Sequence, residues 1–231
     1  MRTIILCGGK GTRAYPHTET LPKPLLEVAG TPVLRHVMDI FAAQGFEDFV
    51  LAAGYKQELI RDYVAASAPT SWTVEVVDTG EDTNTGGRVI RCRDRVDGPF
   101  FVTYADGLGD VDLAALATFH AGHGGLATMT TVPLPSQYGT VEVARDGRVE
   151  RFREKPRLPD HWINAGFFVF DTAAFERWPG EDLERDVLPA LGTQGALFAR
   201  SHDGFWRSMD TYKDSLELTA LCDEGRRPWM P

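Results

Sequence analysis

The chain has 231 residues, 43% of them hydrophobic and 25% charged, which is enough to bury a core in one large or two small domains. Its formal net charge is -9 and no basic stripe interrupts it, which argues against a nucleic-acid scaffold held by phosphate neutralisation. Cys7, Cys92 and Cys222 are far apart and form no CxxC pair, so neither a disulfide framework nor a zinc site is indicated.

A reducing cytoplasm suits those cysteines. The opening "MRTIIL" is an apolar run too short for a signal peptide, and no later stretch approaches membrane-spanning length, so no membrane partner is expected. Thr3 to Cys7 predicts a buried parallel strand. Thr31-Pro32 reads as an N-cap followed by an N1 proline, and Val33, Leu34, Val37, Ile40 and Phe41 recur at helical spacing up to Gly45, the expected C′ stop. Residues 48–54 predict a second strand, 57–67 a helix and 72–78 a third strand. Residues 99–106 predict a fourth buried strand, "VDLAALATFHAGHG" a helix and 126–132 a fifth strand. Strands alternating with helices predict an α/β fold, a three-layer αβα sandwich on a mainly parallel sheet.

After Val132 the texture changes. "YGTVEVARDGRVERFREKP" holds two alternating runs around Asp146-Gly147, a dipeptide favoured in a type I′ hairpin turn. "WINAGFFVF" predicts a strand, "EDLERDVLPALG" a helix, "GALFARS" a short strand, and "DTYKDSLELTALCDEG" an amphipathic helix ending at Gly225. With no low-complexity linker and no internal repeat, residues 1–231 are expected to form one continuous domain.

The chemistry begins at "CGGKGTR", residues 7–13. Gly9-x-Gly11-x-x-Ala14 formally satisfies the dinucleotide fingerprint, but Pro16, Pro22 and Pro24 interrupt the helix that the fingerprint requires. A Walker A motif is absent. What remains is a glycine-rich loop whose amides can wrap a phosphate chain, with Arg13 as a bidentate donor and Lys10 nearby; the plainer alternative is a turn that needs only glycine's freedom. Lys23 sits between two prolines in "LPKPLLEVAG", which leaves its backbone little entropy to lose.

"LCGGKGTR" followed by "PKP" resembles the signature of sugar-1-phosphate nucleotidyltransferases, and the resemblance extends over essentially the whole chain. "VDTGEDTNTGGR", "FFVTYADGLGDVDL", "FREKP", "INAGFFVF" and "GFWRSMDT" look most like the glucose-1-phosphate cytidylyltransferase group. The resemblance implies a Rossmann-like nucleotide-binding sheet over residues 1–132, with a smaller β-rich sugar-binding portion in 133–231. Such enzymes join a nucleoside triphosphate to a sugar 1-phosphate and release pyrophosphate. Attack by one anion on another makes repulsion the obstacle, so neutralisation, positioning and a hard divalent cation are the expected means.

By that resemblance Arg13, Lys23, Asp106 and Asp210 are catalytic, and the two aspartates hold Mg²⁺. Leu6, Cys7, Gly8 and Gly9 contact base and ribose, Gly11, Thr12 and Arg13 hold the triphosphate, and Lys23 stabilises charge at the α-phosphate. Thr83 and Arg88, in what reads as a "TNTGGR" loop, match positions that contact cytidine nucleotides, with Ala105 also beside the nucleotide; that loop is the reason CTP is favoured. Glu154 and Lys155 take the sugar hydroxyls and the sugar phosphate, and Tyr138, Gly139, Asn164 and Gly166 line the rest of that pocket. Each acidic or basic residue, taken alone, also fits a turn or a solvated surface.

Ala165 stands where the cytidylyltransferase group typically has a second glycine, and Ala105 where glycine usually precedes the metal aspartate. These differences leave open another sugar 1-phosphate, such as a heptose, or another nucleotide: UTP, dTTP or GTP. The short connection before residue 72 leaves homo-oligomerisation open too. A non-catalytic sensor would not need Arg13, Lys23, Asp106, Lys155 and Asp210 together. Trp206 reads as a packing aromatic, and His120 and His123, three apart, lack a carboxylate or cysteine partner for a metal.

Overall fold

A computed structural model describes residues Met1–Met230, with Pro159 described through its backbone only. In chain order the elements are β1 (Thr3–Leu6), β2 (Glu27–Val28), β3 (Thr31–Pro32), α1 (Val33–Ala42), β4 (Asp48–Ala53), α2 (Gln57–Ser67), β5 (Thr73–Asp78) and α3 (Thr85–Arg91). They continue with β6 (Phe100–Tyr104), β7 (Gly107–Gly109), α4 (Leu113–His123), β8 (Ala127–Pro135), β9 (Thr140–Val143), β10 (Val149–Arg153) and β11 (Arg157–Phe170). The last are α5 (Leu188–Thr193), β12 (Leu197–Ser201), β13 (Trp206–Ser208) and α6 (Tyr212–Asp223).

A 7-stranded sheet runs in the order β12-β8-β11-β6-β1-β4-β5, and β11 alone runs against the other strands. β1 is wholly buried and central, which is why its sequence is apolar without alternation. One sheet face, with Ile5, Leu51, Phe101 and Phe167, packs on α1, α4 and α6; the other, with Ile4, Val50, Val102 and Phe168, packs on α3 and α5. These are the three layers expected from the strand–helix alternation. No helix among the described residues is long and apolar enough to cross a membrane.

Four local expectations are corrected. Pro32, not Thr31, caps α1, because Thr31 pairs with Val28 and the first helical amide, Val33 N–H, donates to the Leu26 carbonyl at 2.9 Å. "TNTGGR" is a loop only at Thr83 and Asn84; Thr85 to Arg88 form the start of α3. The Asp146-Gly147 turn is not type I′, since only Gly147 takes positive φ (86°) and its N–H donates to Ala144, a type I turn with a following left-handed glycine. "EDLERDVLPALG" begins as a π-helical turn over Leu183–Val187, with the Leu188 N–H reaching back to Leu183. Pro189 has no N–H for the Arg185 carbonyl and its ring crowds that oxygen, so the backbone widens before α5.

Buried histidines lie in the helical layer of α1 and α4. His36 is buried with Nε2 3.0 Å from the Val28 carbonyl and edge-on to Trp229. His123 Nδ1 accepts from Gly125 N–H, so its Nε2 donates to Thr128 Oγ1, whose own proton goes to His120 Nδ1. Two histidines thus share one hydroxyl. Burial holds all three rings below the ordinary histidine pKa. The unfolded chain then binds more protons in acid, so this stability is fully present above about pH 6.5 and is lost as pH falls from there through the lowered folded values. Urea unfolding at about pH 7.5 and about pH 5.5 is expected to give a smaller loss in His120→Gln than in the unaltered chain.

Candidate active site

In open sheets, ligands bind beyond the carboxyl ends of the strands, where neighbouring connections diverge. Here a cleft of about 580 Å³ opens at that edge, lined by the end of β1 (Leu6), the segment after β5 (Thr83, Asn84) and the end of β6 (Tyr104, Ala105, Asp106). β1 lies between β4 and β6, and the chain leaves it for β4 on one side and returns through β6 on the other.

The segment from Cys7 to Lys23 does not form the long helix a dinucleotide fold needs; it makes isolated single turns at Thr12–Ala14, His17–Glu19 and Lys23–Leu25. Cys7, Gly8, Gly9, Gly11 and Arg13 line the cleft, whereas Thr12 is exposed outside the lining. Burial pushes the Cys7 thiol up to about 12, so it stays neutral and offers its backbone. Lys10 pairs with Glu81 and Asp82 across to the loop after β5.

Gly8 answers to a protein group rather than a phosphate: a Cβ there would overlap the Arg88 guanidinium, and Gly54 is packed against it as well. Arg88 is 3% exposed, and each hydrogen bond it makes among the described residues goes to a neutral oxygen. Its Nη1 donates to the Ala53 carbonyl (3.2 Å), Thr79 Oγ1 (2.7 Å) and the Gly80 carbonyl (2.8 Å), and its Nη2 to the carbonyls of Gly8 (2.9 Å) and Glu81 (3.1 Å). Burial lowers its pKa without discharging it. Arg88 thus clamps the loops after β1, β4 and β5 into one wall. The Thr83 hydroxyl is likewise spent internally, donating to Thr79 O and accepting from Arg91.

The opposite side carries the charge. β7 and β13 pair antiparallel with Gly107 opposite Ser208, so Asp106 just before β7 and Asp210 just after β13 become neighbours. Met209 N–H donates to the Asp106 carbonyl, while Asp210 N–H donates to Asp214, whose carboxylate completes the capping box of α6 with Thr211. Lys23, 9% exposed, sits between the two aspartates; its Nζ meets Asp106 Oδ2 at short range and Asp210 Oδ1 at 2.9 Å. Gly11 (φ +61°) makes this possible, since a Cβ there would press on the Lys23 side chain at 2.8 Å. Arg13, largely exposed, reaches Asp210 Oδ1 at 2.9 Å. Burial pushes the Asp210 carboxyl up, but Lys23 and Arg13 outweigh it and hold it below the ordinary carboxylate range.

Asp106 and Asp210 are hard oxygen donors. Among the described residues no cluster of three or more His, Cys, Asp or Glu side chains could hold a metal. Mg²⁺ is commonly held by one or two carboxylates with water and phosphate oxygens completing the shell, and this pair fits that donor set.

The third wall contains groups that sequence patterns did not single out. Tyr104 donates to Glu184 and accepts from Asn164 Nδ2 at 3.3 Å, and Thr85 Oγ1 donates to Glu184 at 2.6 Å. Burial, then the facing carboxylate, pushes the Tyr104 phenol far above its ordinary value. Gly166 (φ +79°) does not line the cleft; a Cβ there would strike the Tyr104 ring. Trp206 lines the cleft and donates from Nε1 to the Ala165 carbonyl at 2.7 Å, fixing the Ala165 backbone at the lining. Tyr138, Gly139, Glu154 and Lys155 lie together at the exposed base of the β9–β10 hairpin, outside the cleft lining. Asn164 reaches the lining through β11.

Residues 2–220 match the nucleotidyl transferase family, and the chain belongs to it. It is 35% identical over 254 residues to glucose-1-phosphate cytidylyltransferase of Salmonella typhimurium, covering 99% of this chain and 98% of that protein. It is also 33% identical over 232 residues to mannose-1-phosphate guanylyltransferase catalytic subunit beta of Danio rerio, covering 96% of this chain and 64% of that protein. The chain is accordingly a sugar-1-phosphate nucleotidyltransferase. In fold it matches the crystal structure of HddC from Yersinia pseudotuberculosis complexed with GMP-PN, with TM-score 0.75 and 22% identity over 96% of this chain and 99% of that one.

Replacing Arg88 by Met removes the donor to the Gly80 and Glu81 carbonyls, while those of Gly8 and Ala53 keep Tyr55 and Thr79, and is expected to cost of order 3 kcal/mol in denaturant unfolding. Arg88→Lys should recover only part of that, because a compact ammonium cannot span partners on several loops. An Arg88→Met protein as stable as the parent would remove the clamp from this account.

Proposed function

We propose that the chain joins CTP to α-D-glucose 1-phosphate, giving CDP-glucose and pyrophosphate, with Mg²⁺ and by direct in-line attack. The observation that carries this is the convergence of Lys23, Arg13, Asp106 and Asp210 beside a glycine loop at the carboxyl ends of β1 and β6. Nucleotidyl transfer needs charge neutralisation and positioning more than a covalent intermediate, and this cluster suits that need.

In this scheme the amides from Cys7 to Gly11 receive the nucleotide, Arg13 holds the triphosphate, and Lys23 stabilises charge that builds on the α-phosphate. Thr83, Arg88 and Ala105 shape the nucleoside side, Arg88 through the carbonyls it orients. Mg²⁺ on Asp106 and Asp210 would neutralise phosphate oxygens. Asn164 receives the acceptor from within the cleft. Tyr138, Gly139, Glu154 and Lys155 serve it from the rim, with Glu154 taking hydroxyls and Lys155 the phosphate. The first half of the chain thus handles the nucleotide and the second half the sugar.

A second form of the proposal keeps the chemistry and changes a substrate. Ala165 lines the cleft at a position where the sequence expectation was glycine, which favours testing other sugar 1-phosphates, and the GMP-PN in the HddC structure makes GTP a competitor to test.

Pyrophosphate release from CTP, UTP, dTTP, GTP and ATP against several sugar 1-phosphates is the direct test. CTP with glucose 1-phosphate should dominate and EDTA should abolish release; dominance of another pair selects the second form. Asp106→Asn and Asp210→Asn should each lower kcat by roughly a hundred-fold or more, and near-normal turnover in either would remove the metal assignment.

A further inference from the structure

The Glu184 carboxylate has no part in the scheme above, yet it faces the cleft. The π-helical turn puts it there: Asp182 accepts from the Glu184 and Arg185 amides, while the Leu183 N–H donates to Thr85 Oγ1 at 3.0 Å. The preceding segment is fastened to α3 by Gly87 N–H on Glu181 O at 2.8 Å and Trp178 Nε1 on Gly86 O at 3.2 Å. Gly86 has no room for a side chain against that segment, where a Cβ would meet the Glu181 carbonyl oxygen at 3.0 Å.

Glu184 is held by neutral hydroxyls, not by a cation. Oε1 accepts from Tyr104 and Oε2 from Thr85, and the neighbouring Arg185 pairs with Asp182 instead. An ionised carboxylate has about four acceptor positions, so acceptor capacity remains on the cleft side. The two anchoring hydroxyls fix its plane, and its negative charge would repel a phosphate. A ligand group that suits it is a neutral donor, above all a pair of neighbouring hydroxyls.

We infer that Glu184 is a specificity-determining residue that accepts hydrogen bonds from a vicinal diol of the bound substrate, with Tyr104 and Thr85 as its positioning residues. This rests on the nucleotidyltransferase function proposed above and deepens it. The diol has two sources, the ribose of the nucleotide and the ring of the sugar 1-phosphate, and Glu184 stands between Thr85 on the nucleoside side and Tyr104 with Asn164 on the acceptor side.

The test compares the parent, Glu184→Ala and Glu184→Asp with CTP, 2′-deoxy-CTP, 3′-deoxy-CTP, glucose 1-phosphate and its 2-deoxy and 3-deoxy analogues. It reads pyrophosphate release and, separately, calorimetric binding of each nucleotide. The parent should disfavour at least one deoxy analogue by about ten-fold or more in kcat/KM. Glu184→Ala should lose that preference by handling the natural substrate worse while treating the deoxy analogue as before, mainly through KM. The affected arm identifies ribose or sugar as the source. Because Glu184 is exposed, truncation opens no core cavity, and Glu184→Asp should recover part of the preference. Unchanged discrimination in Glu184→Ala against every analogue overturns the inference and leaves the proposed function standing. A parent that binds no nucleotide and releases no pyrophosphate overturns both.

Discussion

The Lys23 ammonium, held between Asp106 and Asp210, is the interaction on which the rest of the site depends. Two partly buried carboxylates brought together by the β7–β13 register would repel each other and lose hydration. A cation between them offsets both costs. That requires a lysine delivered from a distant part of the chain, and the flanking Pro22 and Pro24 limit the ways it can arrive. It also requires Gly11 without a Cβ. The glycine loop, the proline-framed lysine and the paired aspartates are therefore one device, and a change in any of them is felt by the others.

Arg88 has a comparable role on the nucleoside side. A buried guanidinium satisfied only by neutral oxygens is costly unless its donors find partners, and the convergence of loops around Arg88 supplies acceptors to both Nη groups. The same bonds aim the carbonyls of Gly8, Gly80 and Glu81. Part of the glycine-rich loop thus answers to a protein side chain: Gly8 makes room for Arg88, while Gly9 alone among its neighbours faces open space. A glycine pattern can look like a phosphate loop for two reasons at once, and sequence spacing does not separate them.

The fold was legible where a local signal coincided with burial. β1, β4, β6 and α1 lie where apolar runs and helical spacing placed them, because their side chains pack directly on the sheet. Failures occurred where a tertiary partner replaced a local one. The first amide of α1 takes Leu26 O rather than a Thr31 cap, and α3 forms in a glycine-rich stretch because its first turn is fastened to the 178–184 segment. Glu184 left no signal in the helical pattern, since its direction into the cleft comes from a π-helical turn shaped by Pro189 and the Asp182 cap.

By itself the sequence determined the alternation of strands and helices, the glycine loop after a buried strand, and the residue types suited to polyphosphate, because these depend on neighbours a few positions apart. It also carried the family through motifs spread along the chain. Only the tertiary structure decided which of those groups share a cleft. It paired Asp106 with Asp210 through the register of two short strands, turned Arg88 inward as a clamp, and left Tyr138, Gly139, Glu154 and Lys155 on a rim hairpin outside the lining. The physical reason is that charge neutralisation and hydrogen-bond satisfaction act through space across chain-distant groups, whereas propensity and periodicity act along the chain.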